Sequence, residues 1–429
     1  MPRKLISAPR HRKTTLPSGV RVLTSTMPTT NAVSMVIHFG AGSRYESDEL
    51  AGSSHLFEHL LFKGTEKRPQ PRLISEVVEG VGGSLNAYTD RELTGYWARV
   101  PRPHYIEGLD VLVDMIRNPL FRPFDIEREK QVVFEEIRAS NDSPSSRVDT
   151  ILDELMWPNQ PMGRDIAGTE ESVGAVSRQA LMDYMAKQYV PVNTVISVTG
   201  GITHGEIVDQ VKRLMGDWDG SRPLSFPRVV ENFKGPAVRV EYRKTEQAHL
   251  SLGLHGISLH DPDRYALRLL SAAFGESMSS RLFEEVREKR GLAYDIHSAA
   301  SMYTDCGALL VSSGVDPKRA VEAVKVIIEE LVKLLDGLPA AELEQARELS
   351  KGRLVLRMED SRSVATSIGV QELVKGQVET VDQMVAAFNK VKVDDVKRIA
   401  RRVIRPERLA LAVVGPFRSH AKFADALKF

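Results

Sequence analysis

His55-Leu56-Phe57-Glu58-His59, HLFEH, is the stretch from which the rest of the chain is read. Two histidines stand four apart with a glutamate between them, in a run that reads as helix. Residues at i and i+4 share a helix face, so both imidazoles can reach one ion. Glu58, three after His55, lies on nearly the same face. Two neutral nitrogen ligands, and a carboxylate placed to take a proton from metal-bound water, are what a zinc hydrolase needs. The order H-x-x-E-H is the inverted form of the commoner H-E-x-x-H.

Outward from that motif, the pattern predicts a helix over residues 49–63, capped by Ser47 or Asp48 and stopped at Gly64, with Leu50, Phe57, Leu60 and Leu61 as its apolar stripe. Strands are expected before it at 20–27 and 33–39. After it come a helix at 73–81, a Gly82-Gly83 break, and alternating strands at 84–89 and 93–100. Helices at 104–117 and 125–140 follow. Two histidines leave a catalytic zinc one protein ligand short. The single cysteine is Cys306, so the third ligand should be His, Asp or Glu. The 125–140 helix carries Glu127, Glu129, Glu135 and Glu136. Glu129 and Glu136 are seven apart, two turns, and share a face, whereas Glu135 points about a hundred degrees away from Glu136. A ligand at one of the pair and a supporting carboxylate at the other suits the hydrogen bonding that fixes metal-bound histidines. Spacing alone does not say which is which.

Helix, strand and helix (178–188, 194–200, 204–215) close the first half. Residues 216–238 turn rich in Gly, Pro and Ser, and read as a linker. Beyond it the chain repeats in outline. NAVSMVIHFG (31–40) resembles QAHLSLGLHG (247–256) at an offset of 216, and PVNTVISVTG (191–200) resembles PERLALAVVG (406–415) at 215. The expected organisation is an N-terminal metal-binding domain (1–218), a linker (219–238) and a C-terminal related domain (239–429). The first offset sets His55, Glu58 and His59 opposite Ser271, Phe274 and Gly275, so the second copy has no metal motif.

Composition narrows the class. Of 429 residues 42% are apolar, enough for substantial cores, and 58 basic against 57 acidic residues give no general pull toward nucleic acid or an anionic membrane. No apolar run approaches the roughly 18 residues that span a bilayer. The N-terminus MPRKLISAPRHRK is basic but has no apolar core, and reads as a solvated tail rather than a secretory signal. A lone cysteine, expected buried, excludes an internal disulfide and fits a reducing cytoplasm.

Four blocks carry a resemblance: HLFEHLLFKGT (55–65), GGSLNAYTDRELTGYW (82–97), EREKQVVFEEI (127–137) and SRLFEEVREKRGLAYDIHS (280–298). Together they resemble the pitrilysin-type, inverzincin metallopeptidases, which include the mitochondrial processing peptidase and its bacterial relatives. The length matches half-size members. The resemblance implies an α+β fold of two homologous domains, each a mainly antiparallel sheet covered by helices, that form half of a clam-shell chamber. It implies one Zn2+ per chain, held by His55, His59 and Glu136, with Glu129 in support and Glu58 as general base of a peptide-hydrolysing endopeptidase. Asn86, Ala87 and Tyr88 correspond to an edge strand that substrate peptide extends. Arg287 and Tyr294 correspond to an arginine and a tyrosine that contact substrate near the scissile carbonyl. In half-size members these two come from a second chain, so a homodimer with Arg287 and Tyr294 supplied in trans is expected. The alternatives within the family are an active subunit that needs an inactive partner, and a non-catalytic scaffold.

Overall fold

The computed structural model describes residues 10–220, 222–232 and 235–428. The first nine residues of the expected basic tail, and residues 221, 233 and 234 of the expected linker, lie outside the described residues.

Alternation along β3 (Ala32–Phe39) sets the first sheet. Val33, Met35, Ile37 and Phe39 enter one hydrophobic core with Leu56, Phe57 and Leu60. Ser34 and His38 point to the opposite face. Around β3 stand β1 (His11–Thr15), β2 (Arg21–Thr26), β4 (Ser84–Thr89), β5 (Thr94–Pro101) and β6 (Thr194–Gly200), in the order β1-β2-β6-β3-β5-β4. Among the described residues of this sheet, β2 and β6 run parallel and the other pairings are antiparallel. β4 is an outer strand.

The second sheet contains β7 (Ala237–Tyr242), β8 (Ala248–His255), β9 (Ala293–Met302), β10 (Gly307–Val315) and β11 (Leu409–Gly415), in the order β7-β11-β8-β10-β9. Its one parallel pair is β7 with β11. The strand bounds carry the repeat read from sequence: β8 is β3 displaced by 216 residues, and β11 is β6 displaced by 215. Two mixed sheets covered by helices make an α+β fold.

The helices are not apportioned as the strands are. One compact unit takes residues up to Ile137, Asp165–Pro227 and Val355–Asp382; the other takes Arg138–Arg164, Arg228–Leu354 and the chain from Gln383 onward. Helix Ser361–Lys375, late in the chain, covers β3 of the first sheet: Ser361 Oγ lies 2.9 Å from Ser34 Oγ. A Cβ on its Gly369 would fall 2.4 Å from the His38 ring. Glu372 of this helix is buried and paired to Lys13 at 2.6 Å. Reciprocally, helix Pro144–Met156 covers β8 of the second sheet, where Ser251 Oγ donates to Asp149 at 2.7 Å and Gly253 admits Met156 and Leu152. A single cut through the linker therefore follows the sheets but not their covers. The reason is physical: each sheet has two buried faces, and the helix that covers the second face is encoded in the other half of the chain.

The expected helix over 49–63 divides in two. A short 3-10 turn, Asp48–Leu50, precedes an α-helix confined to Ser53–Leu60. Gly52, at φ +91°, separates them, in a conformation that costs glycine little and other residues more. Neither Ser47 nor Asp48 caps the helix that bears the motif. Cys306 is buried, and among the described residues no helix is long and apolar enough to cross a membrane.

Candidate metal centre

The motif helix, Ser53–Leu60, is oriented from its start and along its apolar side. At its start the buried Glu46 carboxylate accepts from Gly52 N (2.9 Å) and Ser54 N (2.6 Å), satisfying two otherwise unpaired helix donors with a charge matched to the helix dipole. Ser54 Oγ lies 2.8 Å from the buried Tyr184 hydroxyl. Along the apolar side, Phe57 stacks on Tyr189 with centroids 5.2 Å apart and meets Phe121 edge-on at 5.1 Å. These contacts fix the helix rotation and leave His55, Glu58 and His59 facing the long helix Pro123–Asp142 and the end of β4.

There Glu136 Oε2 stands 3.6 Å from His55 Nε2 and 3.5 Å from His59 Nε2. One donor atom from each of the three residues lies within 4.8 Å of the others. Zinc–nitrogen and zinc–oxygen bonds of roughly 2.0–2.1 Å at tetrahedral angles separate ligand atoms by about 3.4 Å. The two His–Glu separations are close to that edge length, and the chemistry of the donor set, two imidazoles and a carboxylate, suits a zinc ion. Burial holds His55 below the usual histidine range, and His59 beside it acts in the same direction; Glu58, Glu136 and Asp165 oppose them. The net result is a neutral imidazole, the ligating form.

Glu129 and Glu136 separate into distinct positions. Glu129 is buried; its Oε2 lies 3.4 Å from His59 Nδ1, and its Oε1 is paired to Lys63 Nζ at 2.8 Å. Glu136 is half exposed and faces both Nε2 atoms. Glu135 is exposed and stands outside the three-residue group. His55 Nδ1, by contrast, is buried without a hydrogen-bond partner among the described residues.

Glu58 accepts from Thr89 Oγ1 at 2.6 Å. Asn86, Ala87 and Tyr88 precede that threonine on β4, paired with Trp97, Tyr96 and Gly95. Asn86 Oδ1 accepts from Ala87 N at 2.8 Å. The Tyr88 hydroxyl meets His38 Nε2 at 3.0 Å, with its ring close over Gly95, where a Cβ would fall 2.6 Å away. Burial keeps His38 neutral, with its pKa lowered to about 3.

Arg287 and Tyr294 belong to the second unit. Arg287 sits in a π-helical turn, Phe283–Glu288, and its guanidinium carbon lies 4.6 Å from the Phe283 ring centre and 5.2 Å from that of Tyr294. Tyr294, at the start of β9, is 77% exposed. The structure thus brings the arginine and tyrosine to each other, and brings His55, Glu58, His59, Glu129 and Glu136 together in the first unit.

Three residues escape a reading by spacing. Lys63 had a signal, four after His59, though it lies beyond the helix end. Glu46 and Thr89 had none, because each meets the motif helix through the fold and not through a helical repeat.

Comparison with known proteins agrees with this architecture. A family model described as Insulinase (Peptidase family M16) matches residues 21–170, and one described as Peptidase M16 inactive domain matches residues 175–350. The chain is 37% identical to a Streptomyces coelicolor protein named as an uncharacterized zinc protease, over 95% of this chain and 90% of that one. It is 36% identical to a Bacillus subtilis protein of the same description, over 94% and 98%. It is 31% identical to a probable mitochondrial-processing peptidase subunit beta of Arabidopsis thaliana, over 96% and 80%. A protease from Helicobacter pylori has the same fold, with a TM-score of 0.89 at 22% identity across 95% of this chain and 100% of that one. The chain belongs to peptidase family M16, a family of metallopeptidases.

Proposed function

We propose that the chain is a zinc-dependent endopeptidase acting on peptides or flexible polypeptide segments. The observation that carries the reading is the convergence of His55 Nε2, His59 Nε2 and Glu136 Oε2, with Glu58 held on the same helix. These three residues would hold one Zn2+ per chain. Zinc bound there supplies Lewis-acid chemistry, acidifying a water and polarising the scissile carbonyl. Glu58 takes the proton of the attacking water and delivers it to the leaving amine. Glu129 accepts the Nδ1 proton of His59, which directs Nε2 toward the ion, and Lys63 pairs with the other oxygen of Glu129. The outer edge of β4, at Asn86, Ala87 and Tyr88, takes the peptide by main-chain pairing. Arg287 and Tyr294 hold it and stabilise the developing oxyanion.

The test is Glu58→Gln. It should retain zinc and lose hydrolysis of an internally quenched peptide; wild-type turnover would remove Glu58 from this role. The reading extends to a homodimer in which a second copy supplies Arg287 and Tyr294. Mixing Glu58→Gln with Arg287→Ala protein under subunit exchange should then restore activity, and activity that stays at the level of the parents counts against sharing. The relative named as a subunit beta favours a second reading, an active subunit with a different partner chain. The solution mass of the purified chain separates the two. A single cysteine, the buried Cys306, supports a reducing compartment, and we assign the protein to the cytoplasm.

A further inference from the structure

We infer that Thr89 is the positioning residue for Glu58, setting the orientation of the carboxylate before any substrate arrives. The inference rests on the reading of Glu58 as general base and adds a residue to which spacing gave no role.

Thr89 closes β4, and alternation puts its side chain on the face toward the motif helix, opposite Tyr88. Its hydroxyl has one proton and two acceptors in range, Glu58 Oε2 at 2.6 Å and Ser54 O at 3.5 Å. The short contact to a carboxylate is the charge-assisted one, so the proton goes to Glu58. Glu58 then has one oxygen engaged and Oε1 left to receive a proton. Without that bond, a half-buried glutamate with three side-chain torsions would sample several rotamers. Fixing it later would cost part of the side-chain entropy such a residue carries.

The threonine is itself a fixed point. Its backbone pairs with Thr94, and the preceding residue is pinned by the Tyr88–His38 bond and by the close fit over Gly95. Branching at Cβ restricts its χ1. The donor thus stands on a strand while the base stands on a helix. The hydroxyl carries the geometry of the sheet edge to the carboxylate, the kind of preorganisation that lowers a barrier without altering ground-state binding.

The experiment compares zinc-loaded wild type, Thr89→Val, Thr89→Ala, Thr89→Ser and Glu58→Gln on one internally quenched peptide that the wild type cleaves. Zinc content and thermal midpoint are measured on each. Thr89→Val and Thr89→Ala should lower kcat ~10–100-fold, the range for partners that orient a metal-site group, with KM and zinc content unchanged. Thr89→Ser should restore most of the rate. Crystal structures of the metal-free proteins give a readout independent of turnover: the Glu58 carboxylate should leave its place in Thr89→Val and keep it in Thr89→Ser. The alanine variant carries the test should the valine variant fail to fold. Wild-type kcat in a folded Thr89→Val or Thr89→Ala protein, a serine variant as impaired as the valine one, or an unmoved Glu58 would each overturn the inference. If those results accompany an inactive Glu58→Gln, the reading of Glu58 as base survives. Wild-type turnover by Glu58→Gln overturns both.

Discussion

The motif helix Ser53–Leu60 and the helix Arg264–Gly275 hold repeated positions, 216 residues apart, and use them in opposite ways. In the first, His55 and His59 stand half-buried against Glu129 and Glu136, and among the described residues His55 Nδ1 lacks a hydrogen-bond partner. In the second, Ser271, Phe274 and Gly275 take the corresponding places, all buried. Ser298 of β9 comes so close that a Cβ on Gly275 would meet its nitrogen at 2.7 Å, and its hydroxyl donates to Ser271 O at 2.9 Å. One copy of the scaffold leaves room between helix and sheet for polar groups that need desolvation and neighbours. The other closes that room with direct packing. A site of this kind is bought with contacts its twin retains.

The largest expected effect breaks the comparison on its chemical side. Glu58→Gln should reduce hydrolysis ~10²–10⁴-fold, the range for a lost general base, in a peptide assay with zinc content unchanged. Its counterpart, Phe274→Ala, should leave the candidate centre's residues intact. It should cost the second unit ~3–5 kcal/mol of stability in urea denaturation, because a fully buried ring leaves a cavity. Gly275→Ala sharpens the same contrast: the methyl meets backbone, and ~1–3 kcal/mol of destabilisation is expected in the same measurement. In the first unit Glu129→Gln weakens the hold on His59, and zinc affinity should fall ~10–100-fold by competition with a chelating dye.

The smallest effect concerns pH. At the place of His38 in β3, 216 residues on, β8 has the fully buried Leu254. The His38 pKa is lowered to about 3 by burial, so below the ordinary value near 6.5 the unfolded chain binds a proton that the folded chain refuses. The stability from neutral His38 is whole above 6.5 and is lost progressively as pH falls toward 3. By pH 5.5 the loss is about 1 kcal/mol. Thermal midpoints between pH 7 and 5.5 should fall less in His38→Leu than in wild type.

Much of this was legible in the chain. The spacing of HLFEH placed two imidazoles and a carboxylate on one helix face, and the same face rule singled out Glu129 and Glu136. The repeated segments located two sheets, and the bounds of β8 and β11 reproduce the offsets. Other features were not legible. The helix over 49–63 was read too long because a left-handed Gly52 looks no different in sequence from a tolerated helical glycine. The cap came from Glu46, which precedes Ser47 and Asp48 and reaches the helix by folding back. Helix Pro144–Met156 went unread.

Local periodicity by itself determined many of the first-half elements, the residue types of the candidate metal centre and the face each presents, since these depend on 3.6-residue and 2-residue repeats within one segment. Where spacing left the choice open, tertiary structure shows which glutamate faces Nε2 and which is buried against Nδ1, as the resemblance implied, and it alone decided which helix covers which sheet. It also decided that a threonine on β4 meets the carboxylate of Glu58. Each of these is a contact between segments distant in sequence, and only packing of the folded chain sets the distance between them.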